Sequence, residues 1–271
     1  MLHLDVNGFA MPYIALGKGP TLLAIHGSLG DFRSWAPVMG PLSQRHRLVV
    51  PSLRHFFPDT WDGKAQTYTI AQHTADTIAF IEGLKTGPVH LMGHSRGGHI
   101  AFRVAQQRPE LIKRLILAEP GGELDASLQP PGTQASAERT ESIVAAAKVI
   151  ADGDVDGGLR HFVDRIYGEG AWDKRPAASK QMRRDNAHTL VGQLKEARQP
   201  FSRADALSIK TPTLLIGGEQ TGGLLPVVLK ALAQTIPGAR AEMIPMASHN
   251  MFEQAPVRFS ELVHGFLAEG A

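Results

Sequence analysis

The chain of 271 residues contains no cysteine. Disulfides, thiolate metal sites and a cysteine nucleophile are therefore excluded. The composition suits a reducing compartment, and a cytoplasmic location is expected. Excess charge is also lacking: Lys and Arg number 28 and Asp and Glu 26, a formal net charge of +2. The nearest approach to a basic run, Arg183-Arg184, is flanked by Gln181, Met182 and Asp185 and reads as a solvated helix face. Nucleic acid and membrane surfaces are not expected partners. No apolar run is long enough to span a bilayer. The opening Met1–Gly8 has neither the basic nor the apolar region of a secretion signal, so none is expected. No repeat, P-loop or dinucleotide fingerprint occurs. His94 and His99 are close in sequence, but a turn and a helix separate them, so no shared metal is expected. No cofactor is called for, and a small-molecule substrate is the expected partner. The oligomeric state is left open.

What is present is a succession of short apolar segments alternating with helical ones. Asn7-Gly8 reads as a tight hairpin turn between Leu2–Val6 and Phe9–Ala15. Thr21–Ile25, Leu48–Val50, Val89–Met92, Leu115–Ala118, Thr213–Ile216 and Ala241–Ile244 read as buried strands. Ile70–Leu84, Gly97–Gln107, Pro226–Thr235 and Pro256–Leu267 read as helices. From about Gly121 to Asp205 the buried-strand signal stops. Pro130-Pro131-Gly132 reads as a loop, and Ala137–Ala151, Asp156–Tyr167 and Ala177–Arg198 as helices. The predicted architecture is α/β, a mostly parallel sheet with helices on both faces. Residues 1–120 and 206–271 form its core, and 121–205 a helical cap over the carboxyl ends of the strands, where such sheets bind ligands.

Gly93-His94-Ser95-Arg96-Gly97 lies between a predicted strand and a predicted helix. In that setting G-x-S-x-G is a sharp, strained turn that presents Ser95 Oγ above the sheet. A serine nucleophile needs a base. His249, in Ala247-Ser248-His249-Asn250 after the last strand, occupies the position that the order Ser…acid…His requires. The imidazole in turn needs a carboxylate to orient it. Glu119, at the end of the Leu115–Ala118 strand, is favoured, with Glu219 second. Thr221 stands where an aspartate would be expected and carries no charge. A developing oxyanion needs two backbone donors. The Arg96 N–H is one, and the Ser28 N–H in His26-Gly27-Ser28-Leu29-Gly30 the other, with Leu29 its neighbouring alternative.

These segments together resemble the α/β-hydrolase superfamily over nearly the whole chain outside the insertion. The resemblance implies an eight-stranded, mostly parallel sheet with a helical cap. With serine at the elbow it implies a hydrolase of esters or lactones, or a hydrolase of carbon–carbon bonds in ring-cleavage dienoates. Relatives that carry their acid after the sixth strand support Glu119. A dienoate has a carboxylate, for which Arg160, Arg165 and Arg183 are the cationic candidates. A ligand-binding receptor that reuses the fold is the third reading, carried by Thr221. The stretch Leu48–Phe57 departs from the family pattern. Its Phe56 and Phe57 either line the site entrance or pack. Phe162, Tyr167 and Trp172 are candidates for an apolar acyl pocket.

Overall fold

Alternation of apolar side chains explains the layers of the computed structural model, which describes residues 1–61, 66–130, 135–194 and 196–269. The strands are β1 (Leu2–Val6), β2 (Phe9–Leu16), β3 (Thr21–Ile25), β4 (Arg47–Pro51), β5 (Val89–His94), β6 (Ile112–Ala118), β7 (Thr213–Gly218) and β8 (Arg240–Ile244). They form one eight-stranded sheet in the order β1-β2-β4-β3-β5-β6-β7-β8. The pairs β1–β2 and β2–β4 are antiparallel, and the others are parallel. Asn7 and Gly8 both take positive φ, 49° and 74°, and close the first hairpin as predicted.

Strands β3, β5 and β7 are buried at every residue, because helices cover both faces of the sheet. The helices are α1 (Ala36–Ser43), α2 (Ile70–Leu84), α3 (Arg96–Gln107), α4 (Ala135–Ala151), α5 (Val155–Tyr167), α6 (Ala177–Asp185), α7 (His188–Gln193), α8 (Arg203–Ser208), α9 (Leu224–Thr235), α10 (Met251–Gln254) and α11 (Pro256–Ala268). Leu23, Ile25, Leu91, Leu115 and Leu215 face one way, onto Phe80 of α2, Phe102 of α3 and Val228 of α9. Their neighbours Leu22, Ala24, Met92, Ile116 and Leu214 face the other way, onto Val38 of α1 and Phe259 and Val263 of α11. Period-two alternation thus divides one sheet between two cores. A third core joins Ala146, Ala147, Leu159, Val163 and Leu190 of α4, α5 and α7 to Trp172 and to Leu29 in the loop after β3.

Two details differ from the expectations, and one helix has no counterpart among them. The helix predicted over Ala177–Arg198 is broken into α6 and α7. Asn186 sits at the break, and its Nδ2 donates to the Met182 carbonyl one turn back at 2.8 Å. Nδ2 also donates to Asp31 Oδ2 at 2.8 Å, and its Oδ1 accepts from the Phe57 N–H at 2.7 Å. A tertiary contact here outcompetes helix propensity. The stretch expected to hold no strand contains one isolated parallel bridge, Leu124 to Phe201. Helix α1 carries Pro37, Gly40 and Pro41, so its sequence looks like a loop although packing makes it helical. Of the loop expected at Pro130–Gly132, Pro131 and Gly132 lie outside the described residues.

Candidate active site

Ser95 joins β5 to α3 with φ 51° and ψ −117°. A non-glycine residue adopts this conformation only when its surroundings impose it. They do so by close approach: a β-carbon on Gly93 would lie 2.1 Å from the Gly97 carbonyl oxygen, and one on Gly97 would lie 2.2 Å from that of Ile25. The Ser95 N–H donates to the Ala118 carbonyl at 3.0 Å, which anchors the turn to the end of β6. As the first residue of α3, Arg96 has an amide with no acceptor inside the helix.

Glu119 follows β6, is fully buried and has φ 40°. Both its oxygens are engaged. Oε1 accepts from the Gly218 N–H at 2.8 Å, and Oε2 lies 2.6 Å from His249 Nδ1. That bond leaves Nε2 as the free nitrogen of His249. Ser28, Ser95 and His249 line the same cavity. Glu219, the second candidate acid, is solvent-exposed. Thr221 is buried, and its hydroxyl has no hydrogen-bond partner among the described residues.

The rest of the site is a layer of neutral histidines. His94 Nε2 donates to the His249 carbonyl at 2.9 Å, and the two rings lie 4.4 Å apart. Burial, reinforced by His249, holds His94 well below the usual histidine range. His26 donates from Nδ1 to the Gly27 carbonyl and accepts the Leu53 N–H at Nε2, 3.1 Å away. Burial lowers its pKa to about 4. The flanking polar contacts thus fix a neutral tautomer of His26.

Behind Ser95 runs a buried ionic chain. The Arg96 guanidinium forms two 2.7 Å bonds with Glu196, which also accepts from Arg198 Nε at 2.7 Å. Arg96 contacts His73 Nδ1 at 3.1 Å and lies 4.4 Å above the Tyr68 ring. Burial pushes the Glu196 pKa up, but the two arginines outweigh it and hold the carboxyl at about 2. Arg198 continues the chain to Gln193 Oε1 at 2.7 Å, and Gln193 Nε2 donates to Ser28 Oγ at 3.1 Å. The segment after α7 is therefore tied to both the Ser95 turn and the loop that carries Ser28.

Two wings meet at Ser95 and His249. One is narrow, about 40 Å³, and lies among Ser34, Tyr167, Met182, Arg183, Asn250 and Glu253. The other is wider, about 260 Å³, with Ile143, Phe162, Ile166, Leu224 and Leu225 on its walls. Phe162 and Tyr167 thus line the cavity, whereas Trp172 packs in the third core. Arg183, expected on a solvated face, is 7 % exposed and lines the narrow wing. Arg165 borders the wider wing, and Arg160 is at the surface, paired with Asp173.

The family model for the alpha/beta hydrolase fold matches residues 20–256. The chain belongs to the alpha/beta hydrolase family. It is 27% identical over 278 residues to a putative 2-succinyl-6-hydroxy-2,4-cyclohexadiene-1-carboxylate synthase of Bacillus subtilis, covering 94% of each chain. Its fold is similar to the enol-lactonase of Burkholderia xenovorans (TM-score 0.80, 23% identity, 98% of this chain and 100% of the other). It is likewise similar to the carboxylesterase CesB of Bacillus subtilis (TM-score 0.78, 20% identity, 100% of this chain and 92% of the other).

In this alpha/beta hydrolase, Phe56 and Phe57 pack and do not line the cavity. Phe56 is fully buried, 4.7 Å from the His26 ring, and Phe57 lies 4.0 Å under the Arg33 guanidinium. Sequence reasoning missed Gln193, Glu196, Arg198, Asn250 and Glu253 as neighbours of the site. Gln193, Glu196 and Arg198 sit in a polar stretch that reads like solvated surface, and nothing local marks their burial. Among the described residues no group of His, Asp and Glu is arranged to hold a metal, and no helix is long and apolar enough to cross a membrane.

Proposed function

We propose that this protein is a serine hydrolase of small, fairly apolar carboxylic esters or lactones. One observation carries the reading: His249 is bonded to Glu119 at 2.6 Å and shares a cavity with Ser95. Ser95 Oγ attacks the scissile carbonyl, and its proton passes to His249 Nε2. Glu119 holds Nδ1–H and stabilises the imidazolium. The Ser28 and Arg96 N–H groups donate to the carbonyl oxygen as negative charge develops on it, an effect worth about 10²–10³ in rate per donor in other hydrolases. The C–O bond breaks, and the departing oxygen takes the proton from His249. Water, deprotonated by the same imidazole, then cleaves the acyl-serine and restores Ser95. Residues 121–205 act as the cap, and the wide wing takes the apolar part of the substrate. No step calls for a cofactor.

The test is hydrolysis of p-nitrophenyl butanoate. Ser95→Ala and His249→Ala each abolish turnover while far-UV circular dichroism and the melting temperature are kept. A fluorophosphonate labels the parent at Ser95 and does not label Ser95→Ala. Unchanged turnover in Ser95→Ala refutes the reading. A parent protein that neither turns over esters nor takes the label favours a receptor. The inward-facing Arg183 suits the carboxylate of a dienoate and that of an ester equally, so it does not favour carbon–carbon cleavage.

A further inference from the structure

The narrow wing is lined by one cation, Arg183, and one anion, Glu253, and Arg175 beside the wing competes for that anion. Arg183 and Arg175 share one carboxylate, Glu253, with Arg175 Nη1 at 3.4 Å from Oε2 and Arg183 Nη2 at 4.0 Å from Oε1. Neither separation is a tight bidentate pair. Arg175 lies 4.4 Å over the Tyr167 ring, and its Nε has no hydrogen-bond partner among the described residues. Arg183 Nη1 donates to the carbonyl and hydroxyl of Ser179, one turn earlier on α6, at 3.1 and 2.5 Å. Those bonds fix its guanidinium against the cavity wall. The Tyr167 hydroxyl beside it donates to Asn250 Oδ1.

The other titratable neighbours do not cancel this charge. His94 is held neutral. Glu119 is occupied by Gly218 and His249. Asp185 is committed to Arg33 at 2.8 Å. Burial, reinforced by the nearby Arg175, pulls Arg183 below the usual arginine range, as expected of a cation held away from water beside another cation. A buried, under-neutralised guanidinium is costly unless an anion meets it. A wing of about 40 Å³ has room for a group of two or three heavy atoms.

We propose that the narrow wing is a carboxylate subsite: the substrate is an ester or lactone bearing a second, free carboxylate, which Arg183 binds while Ser95 attacks the scissile carbonyl. This rests on the serine-hydrolase reading and narrows it to anionic substrates. The wide apolar wing then takes the remaining carbon skeleton. Arg183 acts as a specificity-determining residue, with Arg175 reinforcing the field.

The experiment uses two pairs of activated esters. Each pair differs only in a terminal carboxylate. One pair is mono-p-nitrophenyl glutarate and p-nitrophenyl pentanoate, with the charge on the acyl chain. The other is the butanoate esters of 4-hydroxybenzoate and of 4-methylphenol, with the charge on the alcohol. We expect at least tenfold higher kcat/KM for the anionic member of one pair. Arg183→Met lowers that preference at least tenfold, mainly through KM, and Arg183→Lys lowers it less. Arg160→Met, at a surface arginine outside the cavity, leaves the preference where it was. Glutarate raises the melting temperature of the parent and not that of Arg183→Met. The subsite is overturned if both neutral esters are cleaved as well as or better than their anionic partners, or if the preference survives Arg183→Met. Failure of the hydrolase reading looks different. No ester is then cleaved and Ser95 takes no label, and the glutarate shift alone decides whether the wing binds a carboxylate.

Discussion

Glu119 and Glu219 each stand immediately after a strand, β6 and β7, that run side by side in the sheet. Glu119 is fully buried with both oxygens bonded, while Glu219 is exposed. The difference lies in what faces each carboxylate. The positive φ of Glu119 turns its side chain along the sheet edge, to the Gly218 amide on one side and His249 on the other. Glu219 has passed that edge by the time the chain reaches it. A strand end offers a carboxylate a place. A neighbouring amide and imidazole engage both its oxygens, which is what the proposed orienting role requires.

The comparison can be broken most directly by neutralising the two acids in turn. Glu119→Gln is expected to lower kcat for a p-nitrophenyl ester by about 10³–10⁴, since the amide no longer holds the Nδ1–H tautomer. Glu219→Gln is expected to leave kcat within about twofold. Equal effects of the two, measured at saturating ester, would reverse the assignment.

A third carboxylate, Glu196, sharpens the contrast between burial that serves orientation and burial that serves stability. Glu196→Leu leaves Arg96 without its counter-ion and is expected to destabilise the protein by about 3–5 kcal/mol, measured by urea unfolding at pH 7. Its carboxyl is held at about 2 in the folded protein, against about 4.3 in an unfolded chain. Its share of stability is therefore complete above pH 4.3 and drains away as pH falls toward 2. The acid-unfolding curves of parent and Glu196→Gln should converge over that window.

His26 gives a smaller effect at higher pH. It is held at about 4 when folded, so between pH 6.5 and 4 the unfolded chain takes up a proton that the folded protein refuses. Stability falls through that window as pH drops, by on the order of 3 kcal/mol, and His26→Gln should flatten this part of the melting-temperature profile. A smaller effect again belongs to Gln193, which links Arg198 to the Ser28 loop. Gln193→Ala is expected to lower kcat about threefold to tenfold, with a smaller change in KM. A change in KM alone would remove Gln193 from the support of that loop.

Much of the fold was legible from local pattern. Unbroken apolar runs marked β3, β5 and β7, the Asn7-Gly8 pair marked the first hairpin, and the glycines flanking Ser95 marked a turn that only small residues permit. Helix α1 escaped because Pro37, Gly40 and Pro41 mimic a loop, and the break at Asn186 escaped because its cause is Asp31, which is 155 positions away. The site divides in the same way. Ser95, His249 and two candidate acids could be read from their places after strands. The burial of Arg183 could not, since its helix face has the composition of a solvated one.

Taken alone, the amino-acid order determined where strands begin and end, which serine sits on a strained turn and which histidine follows the last strand. These follow from backbone sterics and side-chain periodicity, which act over a few residues. Tertiary structure decided that His249 meets Glu119 across 130 positions, that Arg96 meets Glu196 across 100, and that Arg183 turns inward. Coulombic and hydrogen-bonding partners act through space over a few ångströms, and a linear order carries no such distances.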